Sequence, residues 1–583
     1  MSTRKPEVDQ TDDEGSGGVL RRLHAQFRGA DRSTILSIAV VGYLFAAGVA
    51  WAMITPIGGV PDEPAHITYS AGVVRGDLGG LAAVKDPVYT LLPVVAVPQW
   101  VASITDPPTS LNAYSDPCYA GGVQITADCA PRMSNSTTDT LVPTTVTRYP
   151  PPYYWIVGLP TLFMAGEPAV YAMRITSAAL AAAMIAFGLA VASPSRRLWL
   201  APAATIAFTP MVGHFAGSVN PSGLEIAAAM GLGIGLMGIT GKDDRTPRRT
   251  ALIVAVLALA LAWSRPRTYL VLVAVLAAAA LVNTDELRKW LRNGAGRLTA
   301  LVGIAVALTT SFAYQQFSTE PGYLQVSTQS DATEVSTQSD AIRLFTQPDA
   351  TRLSAQSEVV PTAPQPSDNM LFLPVLGLTA NLHELERRFI DWGLHLMGRF
   401  GWLDHSPPAS VSIGWMGLVL TLVVLAFTCG RRRDRVVLTT IGLGAVVATP
   451  LFVTSNVLNA FIYQARYHLS VATLMIIGAA VVLSRHPRGQ SRIPRSVLNL
   501  GAMLAPVAML ASIGGSLHRY SIGGQSGLAD VLRLPFRHHD WLPPAGALMV
   551  AGIAVALGAG AQIAAGRTGA LRQMSQSGGE TKM

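Results

Sequence analysis

Apolar runs alternate with short polar, Arg-rich connections along most of this chain, and that alternation predicts membrane-spanning helices. Twelve runs qualify: 35–54, 169–191, 198–212, 224–239, 251–263, 269–282, 298–312, 411–429, 436–454, 469–483, 497–513 and 545–564. The fifth and sixth are short and are read as a broken pair hinged at Ser264-Arg265-Pro266-Arg267. The pattern breaks twice, at 55–152 and at 313–410, which become two long outward loops. The first carries the aromatic exit Arg148-Tyr149-Pro150-Pro151-Pro152-Tyr153-Tyr154-Trp155, suited to a membrane interface. The second holds a Ser/Thr/Gln/Asp repeat (326–332 and 335–341), text that cannot bury a core, then an amphipathic helix with Leu382, Leu385, Phe389, Trp392 and Leu396 at helical spacing.

This layout divides the chain into a disordered cytoplasmic leader (1–34), an N-terminal membrane region (35–312), the second loop (313–410), a C-terminal membrane region (411–565) and a cytoplasmic tail (566–583). The fold class is an all-α polytopic membrane protein with about 12 transmembrane helices. Composition agrees: of 583 residues 50% are hydrophobic and 13% charged, and the mean hydropathy is +0.37. The net charge of +8 reflects topology rather than nucleic-acid binding, because 27 of the 43 Lys and Arg residues fall in alternate connections. With these inside, both termini are cytoplasmic and the two long loops face out of the plasma membrane.

The candidate chemistry then lies on the outer face. Asp62 and Glu63 follow the first run in Val60-Pro61-Asp62-Glu63-Pro64-Ala65-His66, and His66 is one helical turn beyond Asp62. A structural explanation competes, since acids beside Pro64 make a good first helical turn. Asn220-Pro221-Ser222-Gly223-Leu224-Glu225 marks a second outward turn, where Ser222 and Glu225 have capping-box spacing. Arg174, Arg265, Arg267, Arg466 and Arg519 sit at outward helix ends, and guanidinium suits two-point binding of a phosphate, here that of a membrane lipid. Each arginine can also simply snorkel. Cys118 and Cys129 share the first loop and, outside the cell, can bridge, a cross-link worth on the order of 3 kcal/mol. No phosphate-binding loop, dinucleotide fingerprint or zinc motif stands in a usable context.

Together the Pro-Asp-Glu-Pro-x-His element, Pro151–Tyr154, the Asn-Pro at Asn220, the Arg-Pro at Arg265, Gly401-Trp402-Leu403-Asp404 and Ala465-Arg466-Tyr467 resemble the bacterial membrane-protein family catalogued as domain of unknown function 2142. Tyr149 stands where a His is expected before Pro-Pro, and Ser222 where some relatives carry an acid. That family is similar in layout to GT-C glycosyltransferases, which take a sugar from a polyprenyl-phosphate donor. The resemblance implies a GT-C-like fold and an inverting transfer to a glycan or lipid acceptor of the cell envelope. Asp62, with Glu63 or His66 assisting, would be the base, while Arg174, Asn220, Arg265, Arg267, Asp404, Arg466 and Arg519 would bind substrate. No cofactor is identified; a divalent cation bridging carboxylate and phosphate is compatible, though no ligand cluster calls for one. The alternatives are a lipid-linked glycan transporter or flippase, and a non-catalytic subunit of an envelope-polymer complex.

Overall fold

The structure is a computed structural model that describes residues 31–78, 83–86, 90–104, 117–241 (except 121 and 131–132), 246–318 (except 294–295), 393–444 and 466–524, with 552 and 560. The leader up to residue 30, the repeat insert, nearly all of the expected amphipathic helix, the second half of the expected 436–454 span, the 545–564 span apart from 552 and 560, and the tail lie outside the described residues.

The helices follow the apolar runs, since a backbone in lipid must satisfy its own hydrogen bonds. In order they are α1 (Arg32–Ile54), α2 (Glu63–Val73), α3 (Pro152–Gly158), α4 (Gly166–Val191), α5 (Pro194–Ala207), α6 (Pro210–Ala216), α7 (Pro221–Gly238), α8 (Pro247–Ala262), α9 (Thr268–Asn293), α10 (Arg297–Ser318), α11 (Ala409–Cys429), α12 (Arg432–Leu443), α13 (Arg466–Arg485) and α14 (Arg492–Ser521). Among the described residues seven helices are long and apolar enough to cross a membrane. The count becomes eight if α5 and α6, bent by 82° where Pro210 opens the second helix, form one broken span.

At the centre stands α7, every residue of which is buried, packed on α4, α6, α8, α9 and α13. Its contact with α4 is backbone to backbone: a Cβ added at Gly188 would lie 2.1 Å from the Gly231 carbonyl. Only glycine permits that approach. At the rim, by contrast, α10 and α11 leave Leu298, Leu301, Val302, Ile413, Leu420 and Val424 exposed. Apolar faces of that extent suit a hydrocarbon surround, and the chain is a membrane protein.

The all-α expectation needs one correction. The structure is mostly helical, but within residues 83–143 the first loop forms a three-stranded antiparallel sheet ordered β1 (Ala83–Asp86), β2 (Thr90–Pro98), β3 (Asp139–Pro143). The register pairs Ala83 with Pro93 and Val94 with Pro143. Val95 and Val97 of β2 are buried, and the strand packs against α2. The β-branched run Val94-Val95-Ala96-Val97 favours this pleated state over helix. The sheet therefore braces the helix that carries Glu63 and His66. The aromatic exit divides: Tyr153 and Tyr154 turn inward, while Trp155 is exposed.

Candidate functional site

Four groups of side chains tie the motifs together. The first surrounds Glu63, the opening residue of α2, whose carboxylate is fully buried against Arg174 of α4. Arg174 Nε donates to Oε1 at 2.8 Å, Nη2 donates to Oε2 at 2.6 Å, and the Val219 N–H donates to Oε1 at 3.0 Å. The other Arg174 protons go to the carbonyls of Ala52 (2.9 Å), Thr55 (2.6 Å) and Pro56 (2.9 Å). All five guanidinium donors are thus committed within the protein. Two expectations change: Arg174 is a structural staple rather than a substrate ligand, and Glu63, enclosed and already an acceptor three times over, is no base for an incoming hydroxyl. Asn220 belongs to the same knot. Its Nδ2 donates to the Pro61 carbonyl at 3.2 Å, and its Oδ1 accepts from the Ser222 N–H at 2.9 Å. That bond makes Asn220 the cap of α7, in place of the Ser222–Glu225 box.

Asp62 is held between these anchors and remains partly exposed. Its backbone is left-handed, φ 67° and ψ −4°, and its side chain makes no capping bond to α2. The capping explanation for this acid is therefore replaced. Three non-glycine residues have positive φ among the described residues: Asp62 (67°), Arg267 (66°) and Leu403 (65°). Each lies within one of the motifs read from the sequence, and such conformations cost of order 1–3 kcal/mol unless the surroundings impose them.

Behind Asp62, His66 is buried and its Nδ1 lies 2.9 Å from the Tyr154 hydroxyl. Tyr149 meets the imidazole edge-on at 5.3 Å, so the aromatic replacement at this position packs where a second histidine was expected. Burial pushes the Tyr154 hydroxyl well above its ordinary range, Tyr149, Tyr153 and Tyr69 add to this, and Arg265 opposes it. Arg265 itself donates to Glu225 of α7 at 3.0 Å, and the Ser470 hydroxyl donates to the other oxygen of that carboxylate at 2.7 Å. Arg267, one turn of chain further, is exposed. Arg466 opens α13, but its side chain lies outside the described residues.

A further group was only partly visible in the sequence. Asp404 accepts from Arg519 Nε (3.1 Å) and Nη2 (2.8 Å), and its other oxygen lies 2.7 Å from His405 Nδ1. His405 Nε2 is 2.9 Å from the Ser516 hydroxyl. The acid, imidazole and hydroxyl lie in relay order, but Ser516 is fully buried, so the line braces α14 instead of presenting a nucleophile. Arg519 also donates to the carbonyls of Ile125 (2.6 Å), Tyr119 (2.8 Å) and Gly122 (2.9 Å), inside the ring closed by the Cys118–Cys129 disulfide. Asp404 and Arg519 are accordingly a clasp, and not the open substrate ligands expected. The signal for His405 was its place directly after Asp404; nothing local pointed to Ser516.

This clasp reaches the Asp62 turn. Tyr119 Oη donates to the Ile57 carbonyl at 2.8 Å, Trp402 Nε1 to Gly58 at 3.0 Å, and Tyr520 Oη to Gly59 at 3.5 Å. Three successive carbonyls are held by three segments far apart in sequence. Among the described residues no group of three His, Cys, Asp or Glu side chains is placed to hold a metal.

Electrostatics of the clasp give a pH dependence. Burial raises the Asp404 carboxyl, but the His405 hydrogen bond and Arg519 outweigh it and hold the group below its ordinary 3.8. Burial lowers His405 below its ordinary 6.5 despite Asp404. A group depressed in the folded state contributes stability above its unfolded value and loses it as the pH falls. Acidification should first weaken the clasp as pH drops below about 6.5, through His405, and again below about 3.8, through Asp404. Thermal unfolding of the protein in detergent between pH 8 and pH 4 checks this: His405→Gln should flatten the decline around pH 6, and an unchanged profile would remove His405 from it.

Comparison with curated proteins finds no match, and comparison with solved structures finds none. A family model does match residues 45–352, which take in the Asp62, Arg174, Asn220 and Arg265 motifs and more than half of the chain. By that match the chain belongs to the family described as predicted membrane protein (DUF2142).

Proposed function

We propose that the chain is an inverting membrane glycosyltransferase of GT-C type. It moves a sugar from a polyprenyl-phosphate donor to an acceptor of the cell envelope, on the outer face of the plasma membrane, with both termini inside. The observation that carries this reading is the coincidence of the strained residues Asp62, Arg267 and Leu403 with the sequence motifs, because strain retained in a rigid surround is characteristic of working sites. Asp62 is the acid in that set. With Glu63 neutralised by Arg174, the acid left to take a proton is the partly exposed one beside it.

In the reaction Asp62 accepts the proton of the acceptor hydroxyl as its oxygen attacks the anomeric carbon from the face opposite the phosphate. The anomeric C–O bond breaks, and the lipid phosphate leaves with the electron pair. Arg267, exposed at the α8–α9 turn, and Arg466 are the guanidiniums assigned to that phosphate. Neither the leaving group nor the base requires a nucleotide site. His66, through Tyr154, positions the floor beneath Asp62.

The test is transfer of radiolabelled sugar from polyprenyl phosphate to envelope acceptors in membranes containing the chain. Transfer that depends on the chain supports the assignment. Movement of labelled lipid across the bilayer without transfer would assign a flippase instead, and neither activity would leave a scaffold subunit.

A further inference from the structure

A cleft of about 350 Å³ lies at the other end of the bundle, among α5, α9, α12 and α13. Its position follows from α1. Arg197 Nη1 donates to Thr34 at 3.5 Å, so Arg197 and its neighbour Arg196, which lines the cleft, sit beside the start of α1. Asp62 follows the end of that helix, whose 23 residues span about 35 Å at 1.5 Å each. The two sites therefore face opposite sides of the membrane.

The cleft is organised by a break in α9. Asn283 has φ −121° and ψ 29° within that helix, and its buried side chain leaves the helical ladder to bridge three others. Asn283 Nδ2 donates to the carbonyls of Leu236 (2.9 Å) and Ile239 (3.0 Å) at the end of α7. Its Oδ1 accepts from Arg196 Nη1 at 3.0 Å and from Arg485 Nη2 at 2.6 Å. Two guanidinium groups thus converge on one neutral oxygen, Arg196 also donating to the Met237 and Ile239 carbonyls, and the field of Glu286 reaches both of them.

Asp434, Glu286 and Asp285 all favour the charged Arg485 through their field, but the hydrogen-bond partners of Glu286 and Asp434 are other groups. Glu286 accepts from Lys289 (2.8 Å) and the Gly241 N–H (2.9 Å), and Asp434 accepts from His486 (2.8 Å) and the Arg431 N–H (2.9 Å). Asp285 and Arg433 face one another at 3.5 Å with 71% and 57% of their side chains exposed, a separation and exposure that bind little. Among the described residues no acid is in ion-pair contact with Arg485. The lining holds four arginines against three acids, and Arg431 and Arg433 stand exposed at its mouth.

We propose that this cleft binds a phosphoryl group presented from the side of the membrane opposite Asp62. Arg485 holds it at the base, and Arg431 and Arg433 close on it from the mouth. Guanidinium recognises phosphate by paired hydrogen bonds, and the volume, at the small end of ligand sites, suits a diphosphate or a lipid headgroup. The inference is independent of the outer-face reaction, since no residue is shared.

The experiment uses the purified full chain in phosphatidylcholine nanodiscs. Two probes are compared with sodium chloride at matched ionic strength: sodium pyrophosphate in solution, and phosphatidic acid mixed into the disc. Binding is read as a rise in the unfolding temperature, which follows from a ligand that binds the folded state. The double variant Arg431→Gln/Arg433→Gln alters exposed side chains, so it should fold normally and require at least tenfold more of the effective probe; Arg485→Lys should also weaken it. A response to pyrophosphate assigns a soluble ligand, and a response to phosphatidic acid alone assigns a lipid headgroup. No response to either probe, or an equal response in wild type and the double variant, would overturn the proposal.

Discussion

Replacing Asp62 by asparagine should lower sugar transfer by about 100- to 10,000-fold, the usual contribution of a positioned base, while leaving the amount of folded protein nearly unchanged. The structure makes the substitution clean. Asp62 makes no side-chain cap to α2, so stability does not depend on its carboxylate as a helix cap. Asparagine also tolerates a left-handed backbone about as well as aspartate, and φ 67° adds no new strain. A loss of activity with normal unfolding is then chemical. Binding of polyprenyl phosphate should survive in the variant, because the proposed phosphate ligands are arginines elsewhere. Wild-type transfer rates in the Asn variant would exclude Asp62 as the base, and with it the mechanism given above.

Arg174→Ala should have the largest effect on stability. It strands the Glu63 carboxylate in a fully buried position and orphans the carbonyls of Ala52, Thr55 and Pro56 at once. Breaking one side of a buried pair costs about 3–5 kcal/mol, most of it the price of the charge left behind. The variant should aggregate or unfold well below wild type on size-exclusion chromatography and thermal melting. Glu63→Gln keeps an acceptor for Arg174 and removes the charge, so it should be milder if the pair is structural. Should Arg174→Ala melt like wild type yet lose only donor binding, the guanidinium would have to be returned to the substrate.

The long apolar runs were legible because length and hydropathy alone determine them: 35–54 became α1, 169–191 became α4 and 411–429 became α11, each within three residues at either end. What interrupts a run was less visible. The run 198–212 reads as one span, but Pro210 cannot donate a backbone N–H and the chain turns by 82° there. The run 269–282 stops where apolarity stops, whereas α9 continues past the Asn283 break as an amphipathic segment to Asn293. The sheet in the first loop escaped because strands pair with residues that local pattern does not name. The same limit governed the site. Glu63 and His66 were placed on one helix correctly, but their partners Arg174 and Tyr154 are 111 and 88 positions away, and only the fold reveals that one acid of the pair is neutralised.

The clasp between Arg519 and the disulfide ring has a consequence for biogenesis. The Tyr119 carbonyl and the guanidinium that holds it are separated by 400 positions, so one is synthesised long before the other. At about 5–20 residues per second the interval is on the order of 20–80 s. A Cys118–Cys129 bridge closed in that interval would form before Arg519 exists to bind the carbonyls of Tyr119, Gly122 and Ile125. The Asp62 turn is accordingly latched in stages along the chain: Tyr119 can bind the Ile57 carbonyl first, Trp402 can bind Gly58 only some 280 positions later, and Arg519 and Tyr520 come last.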